Sequence, residues 1–236
     1  MAVLGIVPAR GGSKRIPMKN IALVNGRPMI ANILFAARES GVFDKVHVST
    51  DNQEIASVAQ ELGFEPDFLR DQLLADDHTP LKPVLRWVLK EFESKGEFYD
   101  TIFLLMPSAI LVDSSDLKRG LELFRAKNGG TPLMAMAPYP VPTEWAYDVD
   151  EINGLASPSN PNSINQRSQD LKSQYYDAGL FDIYSKAHLV EEKTVGEYEY
   201  ISLVVESFKA IDIDDPEDLY FAETVCMGLS CRENQN

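Results

Sequence analysis

The loop that follows the first apolar segment combines glycine with basic side chains in a way that suits anion binding. Gly11 and Gly12 are adjacent and lack a Cβ, so backbone N–H groups can turn toward an anion here. Arg10 can bind phosphate oxygens through two N–H groups at once, and Lys14 and Lys19 add point charges. The loop is neither a P-loop nor a dinucleotide fingerprint, because Gly-x4-Gly-Lys-Ser/Thr and Gly-x-Gly-x-x-Gly are both missing. A glycine pair alone is more often a plain turn.

A second group, near the other end of the chain, has the donor type that Mg²⁺ prefers. Asp212 and Asp214 are i and i+2 on a strand that we predict from residue 209 onward, so both carboxylates would face one side. Two such oxygen donors can hold one Mg²⁺ when water and phosphate oxygens complete its shell. Asp215 and Pro216 need no metal, because an N-cap and a first helical residue explain them.

The composition describes a folded acidic protein with an uneven charge distribution. The 236 residues are 44% hydrophobic and carry a net charge of −14, which argues against whole-chain disorder and a general nucleic-acid surface. Six basic residues and no acidic one precede Glu39, so the first 38 residues carry +6 against −20 for the rest.

Other features favour a soluble protein of one domain. Apolar runs stay short of a membrane span, a basic leader is missing, and the only cysteines, Cys226 and Cys231, suit neither a disulfide framework nor a zinc site. We expect a cytoplasmic protein with a single domain at 1–228 and a flexible tail at 229–236, no membrane contact and no nucleic-acid partner.

The segments around these groups alternate between strand and helix patterns. We predict strands at 2–8, 45–50, 64–69, 101–106, 132–137, 178–184, 201–205 and 209–213. We predict helices at 28–40, 52–62, 79–95, 115–127 and 216–227, with Thr79 as an N-cap. This order predicts an α/β three-layer sandwich with a mostly parallel sheet, in which the loop at 9–20 follows a strand at the edge where such sheets bind ligands.

The alternation breaks at 138–177, a stretch rich in Pro, Asn and Ser. It is too long for a simple connection in a compact domain, so we interpret it as a functional segment or an interaction arm.

The loop resembles the signature of the acylneuraminate cytidylyltransferase family, the CMP-sialic acid synthetases. Every fixed position of Pro-Ala-Arg-Gly-Gly-Ser-Lys-x-Ile-Pro-x-Lys-Asn is present at 8–20. The resemblance implies a nucleotide-diphospho-sugar transferase fold and transfer of CMP from CTP to the anomeric hydroxyl of a nonulosonic acid, with release of pyrophosphate. The CTP-binding residues that it implies are Arg10, Gly11, Gly12, Ser13, Lys14, Lys19 and Asn20.

Three further segments resemble the same family. Ile211–Leu219 is similar to the family's metal segment, which assigns Mg²⁺ to Asp212 and Asp214. Phe68–Arg70 is similar to a segment whose arginine approaches the nucleotide, although Arg70 could equally be surface charge. Thr79 falls with Asp76 and Asp77 in a polar nucleotide-binding turn, although a capping role would explain it equally well.

The end of the arm resembles the pseudaminic acid branch of the family, through Arg-Ser-Gln-Asp-Leu at 167–171 and Tyr-x-Asp-Ala-Gly at 175–179. The resemblance implies that Arg167 orients a sugar carboxylate or the α-phosphate. It also implies that Gln169, Tyr175 and Asp177 contact hydroxyl or amide groups, and that the arm crosses a homodimer to the neighbouring site.

The chain departs from the family on the side that would face the sugar. Sialic acid synthetases carry Gln-Pro-Thr-Ser-Pro-Leu-Arg where this chain has Met106–Val112, so Met106 replaces a glutamine and the arginine is missing. Met106 and Ser108 are the sugar-facing candidates here. We expect pseudaminic acid as the acceptor. The alternatives are N-acetylneuraminic, legionaminic or 3-deoxy-octulosonic acid, or a non-catalytic nucleotide-binding homologue.

Overall fold

The structure is a computed structural model and describes residues 2–76, 79–191, 193 and 195–233. Its strands are β1 (Val3–Pro8), β2 (Leu23–Val24), β3 (Arg27–Pro28), β4 (Lys45–Ser49), β5 (Thr101–Leu105), β6 (Leu133–Pro138), β7 (Tyr147–Asp150), β8 (Leu155–Pro158), β9 (Tyr175–Ser185) and β10 (Ile201–Val204). Its α-helices are α1 (Met29–Ser40), α2 (Gln53–Glu61), α3 (Leu81–Ser94), α4 (Ser114–Ala126), α5 (Lys186–Val190) and α6 (Pro216–Glu233). Among the described residues, no helix is long and apolar enough to cross a membrane.

The central sheet has six strands in the order β10-β6-β9-β5-β1-β4. Every neighbouring pair is parallel except those of β9, which runs antiparallel to β5 on one side and to β6 on the other. All six residues of β1 are buried, because helices cover both faces of the sheet. The predicted α/β fold with a mostly parallel sheet is confirmed.

Two apolar clusters fill the space between the sheet and its helical layers. Ile33 of α1 and Phe124 of α4 belong to one cluster, whereas Leu85 and Phe92 of α3 belong to the other. The helix α4 approaches the sheet closely at Gly120, where an added Cβ would lie 3.0 Å from the Phe181 ring. These clusters form the three layers expected from the alternation.

A third apolar cluster joins the two ends of the chain. Ile16 of the N-terminal loop and Met29 at the start of α1 pack with Ile213 and with Ala222 of α6. The helix α6 therefore holds the loop at 9–20 beside the segment that carries Asp212 and Asp214.

Buried ion pairs fix the chain just before that segment. Lys209 is only 8% exposed, and its Nζ donates to Asp113 at 2.7 Å and to Asp116 at 2.6 Å. Burial alone would lower the pKa of Lys209, but its two carboxylate partners outweigh this and raise it. Since both acids lie at the start of α4, they anchor the acidic segment to the helical layer.

Two predicted strands are wrong. The segment at 64–69 forms no ladder, although the Arg70 amide donates to the Thr50 carbonyl at 2.7 Å. The segment at 209–213 also lies outside the sheet and follows a short 3-10 helix at Ser207–Lys209. Its apolar residues alternate because they pack under α6, not because they pair with a neighbouring strand.

Two helix termini also differ from the prediction. The helix α3 begins at Leu81 with Pro80 at its N-cap, and Thr79 instead donates its amide to Asp76 Oδ1 at 2.6 Å. Proline at position 80 supplies no side-chain cap, so the predicted capping by Thr79 is wrong. The final helix continues beyond residue 227 to Glu233, into the predicted tail.

The arm is shorter than expected and contains regular structure. The strand β9 begins at Tyr175, so the connection after β6 covers 139–174, not 138–177. Within it, β7 and β8 form an antiparallel hairpin. The hairpin exposes apolar side chains, with Ile152 at its turn 99% exposed.

Candidate active site

A cavity of about 430 Å³ lies at the sheet edge where the parallel strands β1, β4 and β5 end. The structure brings together six of the predicted nucleotide-binding residues in its lining: Arg10, Ser13, Lys14, Lys19, Asn20 and Arg70. Met106, Ser108 and Asp214 line the same cavity. We call it the basic cavity. Its position agrees with the rule that open α/β sheets bind ligands beyond the carboxyl ends of their strands.

The glycine pair shapes the loop but does not line this cavity. The Gly11 amide donates to Asp51 Oδ1 at 3.0 Å, so it is engaged by the neighbouring loop. An added Cβ on Gly11 would lie 2.9 Å from the Cβ of Asn52, whereas one on Gly12 would meet nothing within 4 Å. Asn52 is the N-cap of α2, and its Oδ1 accepts from the Glu54 and Ile55 amides. Gly11 is thus needed for the close approach of the loop to this cap.

Arg70 supplies a fixed positive charge to the basic cavity. Its side chain is buried, its Nε donates to Ser49 Oγ at 3.0 Å, and its Nη2 donates to the Ser49 carbonyl. Burial lowers the pKa of Arg70 to about 10, which still leaves the guanidinium charged at neutral pH. The alternative of a surface charge does not agree with this burial.

Asp214 connects the acidic segment to the basic loop. Its carboxylate accepts from Arg15 Nη2 at 2.6 Å and from Lys19 Nζ at 3.1 Å, and Lys19 also donates to the Ile213 carbonyl at 2.6 Å. Burial would raise the pKa of Asp214, but the bonds from Lys19 and Arg15 outweigh it and lower the pKa. Asp214 is therefore ionised at neutral pH.

Asp212 lies close enough to Asp214 for the two carboxylates to repel each other. Burial and the charge of Asp214 raise the pKa of Asp212. A divalent cation would relieve this repulsion, so the two oxygen donors fit Mg²⁺. No group of three or more His, Cys, Asp or Glu side chains suited to a metal occurs in the described ranges, so substrate oxygens and water would have to complete the shell.

The helix start beside these acids has the predicted form. Asp215 Oδ1 accepts from the Glu217 amide at 2.8 Å and from the Asp218 amide at 3.1 Å. Asp218 in return accepts from the Asp214 and Asp215 amides. Asp215 and Asp218 are therefore occupied in capping α6.

Sequence reasoning missed two residues around the loop. Arg15 lines the basic cavity and binds Asp214, yet it occupies a variable position in the matched pattern. Asp51 accepts the Gly11 amide across 40 positions of sequence. The only signal for Arg15 was its membership of the basic cluster. Asp51 ends the segment at 48–51, which resembles the family's second strand but is also typical of a strand end before a helix.

The polar turn before α3 is only partly described. Arg10 donates to the backbone carbonyl of Asp76, which places this turn against the basic loop. Thr79 does not line the basic cavity. Asp77 lies outside the described residues.

A second cavity of about 500 Å³ adjoins the first, and Leu81 and Met106 line both. Asp177, Asp182 and Tyr184 on β9 contribute polar side chains to its lining, as do Lys82, Arg86 and Lys193. We call it the β9 cavity. Of the predicted sugar-facing residues, Met106 and Asp177 line it, whereas Ser108 faces the basic cavity.

The remaining sugar-facing candidates lie away from both cavities in a single chain. Arg167 has a 72% exposed side chain and binds Asp170 at 2.8 Å. Gln169 is exposed beside it in the arm, and Tyr175 is exposed at the first position of β9. None of the three lines the basic cavity or the β9 cavity.

Comparison with known proteins identifies the class to which this fold and cavity belong. The family described as "Cytidylyltransferase" matches residues 4–118, which include the loop and Arg70. A pseudaminic acid cytidylyltransferase of Campylobacter jejuni is 34% identical over 94% of this chain and 95% of its own length. A CMP-N,N'-diacetyllegionaminic acid synthase of Legionella pneumophila is 28% identical over the same shares of the two chains. The chain belongs to the cytidylyltransferase family and is therefore an enzyme.

Solved structures support the fold. A CMP:2-keto-3-deoxy-manno-octonic acid synthetase complexed with CTP has a TM-score of 0.72 at 17% identity, covering 97% of this chain and 99% of its own. A 4-diphosphocytidyl-2C-methyl-D-erythritol synthase of Anaerococcus prevotii has a TM-score of 0.59 at 12% identity, covering 96% of each chain.

We predict different stability effects for substitution of the two glycines of the loop. Gly11→Ala should lower the free energy of unfolding by about 1–3 kcal/mol, because the added methyl group pushes against the cap of α2. Gly12→Ala, the matched control, should leave stability nearly unchanged, since nothing lies within 4 Å of its added Cβ. Urea unfolding of both variants measures this. Equal stability of the two variants would contradict the assigned contact.

Proposed function

We propose that this enzyme transfers CMP from CTP to the anomeric hydroxyl of a nonulosonic acid, with pseudaminic acid as the favoured acceptor, and releases pyrophosphate. The observation that carries the proposal is the pair of adjoining cavities. The first is lined by cations suited to a triphosphate, and the second shares Leu81 and Met106 with it as lining residues. Two substrates held side by side in this way are what direct transfer between them requires.

The chain's own residues position charge around the triphosphate. Arg10, Lys14 and Lys19 would bind its oxygens, with Ser13 and Asn20 beside them. Arg70 is held against Ser49, so its charge is in place before the substrate arrives. The acceptor hydroxyl attacks the α-phosphorus and pyrophosphate leaves. Such catalysis depends on positioning and on neutralising the charge that develops, and Arg167 would orient the sugar end.

We also propose Mg²⁺ as the cofactor, held by Asp212 and Asp214. The ion would supply positive charge to the phosphate oxygens. Support comes from the i, i+2 spacing of the two carboxylates and from the pKa of Asp212, which burial and the charge of Asp214 together raise. Lys19 and Arg15 already hold Asp214 at the edge of the basic cavity.

The choice of acceptor rests on relatives and on the departures around Met106. The 34% identical relative is a pseudaminic acid cytidylyltransferase, which favours pseudaminic acid over legionaminic, N-acetylneuraminic or 3-deoxy-octulosonic acid. CTP is supplied in the cytoplasm, where we therefore place the reaction.

A homodimer is part of the proposal because three sugar-facing candidates lie outside the cavities of their own chain. Arg167 and Gln169 are exposed in the arm, close to a hairpin whose apolar side chains face solvent. An arm that crosses to a second copy would cover these side chains and bring Arg167 to the neighbouring site. Burying the exposed apolar area would favour this association.

Pyrophosphate release with CTP, Mg²⁺ and a panel of sugar acids tests the reaction. We expect the highest kcat/KM with pseudaminic acid among pseudaminic, N,N'-diacetyllegionaminic, N-acetylneuraminic and 3-deoxy-manno-octulosonic acid. A preference for another acid would overturn the choice of acceptor. Binding of CTP with no product from any acid would support the non-catalytic alternative instead.

Asp214→Asn should lower kcat/KM by about a hundredfold or more, because it removes an anionic oxygen donor proposed to hold Mg²⁺ at the triphosphate site. Steady-state kinetics over a range of Mg²⁺ concentrations measures the loss. Asp215→Asn is the matched control, since asparagine caps a helix as well as aspartate does. Normal turnover of Asp214→Asn at ordinary Mg²⁺ would remove Asp214 from the metal site.

Ile152→Glu should shift the oligomeric state from dimer toward monomer, because it places a charge on the exposed hairpin of the arm. Sedimentation velocity measures the shift. Val190→Glu is the control, since Val190 is also exposed but lies at the end of α5 outside the arm. Loss of the dimer in both variants, or in neither, would argue against the arm as the interface.

A further inference from the structure

The strand β9 carries an acidic side chain where its pattern calls for an apolar one. Asp182 pairs across the sheet with Leu104 of β5 and with Met134 of β6. Its neighbours Phe181 and Ile183 face the core beneath α4. Asp182 instead lies on the face toward α3, where it lines the β9 cavity. A carboxyl placed between apolar strand partners is costly to bury, so we expect it to make a polar contact on the cavity side.

Among the residues that the structure describes, Asp182 makes one polar contact, which leaves acceptor capacity on its carboxylate. Tyr184 Oη donates to Asp182 Oδ2 at 2.9 Å. Asp177 lines the same cavity and interacts electrostatically with Asp182. An ionised carboxylate has about four acceptor positions and no donor. The polar wall that β9 presents to this cavity therefore offers hydrogen-bond acceptors to whatever occupies it.

Much of the remaining lining is apolar, and Lys82, Arg86 and Lys193 add three cations to it. Leu81, Leu85, Leu104 and Leu180 line the cavity around the two acids. A group that matches both features has an N–H donor attached to a small apolar end, as an acylamino substituent does. The neighbouring basic cavity would hold the triphosphate, so this wall would face the part of the sugar farther from the reacting centre.

We infer that Asp182 is a specificity-determining residue that accepts a hydrogen bond from an acylamino N–H of the sugar acid, with Asp177 reinforcing the preference for donors. This inference rests on the proposed function and adds the chemical feature by which the acceptor is selected. The carboxylate of Asp182 favours donor groups and disfavours acceptors or anions at this position.

The electrostatic setting of Asp182 is consistent with this role. Burial and the charge of Asp177 raise the pKa of Asp182 to about 7, and the hydrogen bond from Tyr184 opposes the rise. The titratable and charged groups that face it or line the same cavity are Asp177, Tyr184, Tyr200, Lys82, Arg86 and Lys193. The ionised form is the better acceptor, so sugar binding should strengthen as the pH rises through about 7.

Asp182→Asn tests the inference, because the amide keeps the shape of the side chain and removes its charge. We expect the KM for pseudaminic acid to rise about tenfold or more, while the KM for CTP changes less than twofold. The preference for amide-bearing acids over 3-deoxy-manno-octulosonic acid, which has no nitrogen, should fall by a similar factor. The thermal midpoint of the variant should not decrease.

Tyr184→Phe separates a specific role from a structural one. It removes the donor that stabilises ionised Asp182, so the inflection in kcat/KM for the sugar should move to higher pH. In Asp182→Asn the inflection should be lost. If Asp182 had only a structural role, neither substitution would change the pH inflection in kcat/KM.

The two failures can be distinguished. Suppose that the wild type converts the sugar acid. If Asp182→Asn then has an unchanged KM for the sugar, or equal rises in KM for the sugar and for CTP, the inference is overturned and the proposed function stands. A wild type that converts no sugar acid would overturn the proposed function. Calorimetric titration with pseudaminic acid would then decide the inference: weaker binding to Asp182→Asn than to wild type supports it, and equal or undetectable binding overturns it.

Discussion

The ion pairs of Asp214 with Lys19 and Arg15 are the interaction on which the site depends, because they join parts of the chain about 195 positions apart. The basic loop would repel itself if its charges had no partner. The acidic segment would do the same, since the charge of Asp214 adds to burial in raising the pKa of Asp212. Bringing the two together offsets both repulsions. The apolar cluster of Ile16, Ile213 and Ala222 packs the two segments side by side. Lys19, with a 21% exposed side chain, is the better shielded partner of Asp214, whereas the pair with Arg15, which is 63% exposed, contributes little by itself.

The direction of β9 accounts for the second half of the site. In an all-parallel sheet, the strand between β5 and β6 would end at the ligand edge and present only its last residues there. Because β9 is antiparallel, it enters at that edge, directly after the arm. Asp177 and Asp182 therefore face a cavity beside the basic one, and Met106 at the end of β5 lines both. One reversed strand thus connects the arm, the second cavity and the first.

The parts of the fold that can be predicted from the sequence depend on local interactions, whereas the other parts depend on contacts between residues distant in the chain. β1, α1, α2 and α4 follow from local periodicity and from caps such as Asn52. The apolar residues at 209–213 have the same alternation as a strand, but their partners are Ile16 and α6, which no local pattern encodes. Thr79 failed as a cap for a related reason. Its amide already bonds to Asp76, and Pro80 takes the N-cap position.

The sequence by itself determined the family signature at 8–20, the α/β alternation and the two carboxylates near the C-terminus, because these depend on residue type and short spacing. Only the tertiary structure decided that Gly11 serves the cap of α2, that Arg70 is buried against Ser49, and that Arg15 binds Asp214. It also separated Arg167 from the cavities of its own chain and placed Asp182 in one of them. Each of these facts depends on contacts between residues distant in the chain. Such contacts arise from packing and charge pairing in three dimensions, which spacing along the sequence does not record.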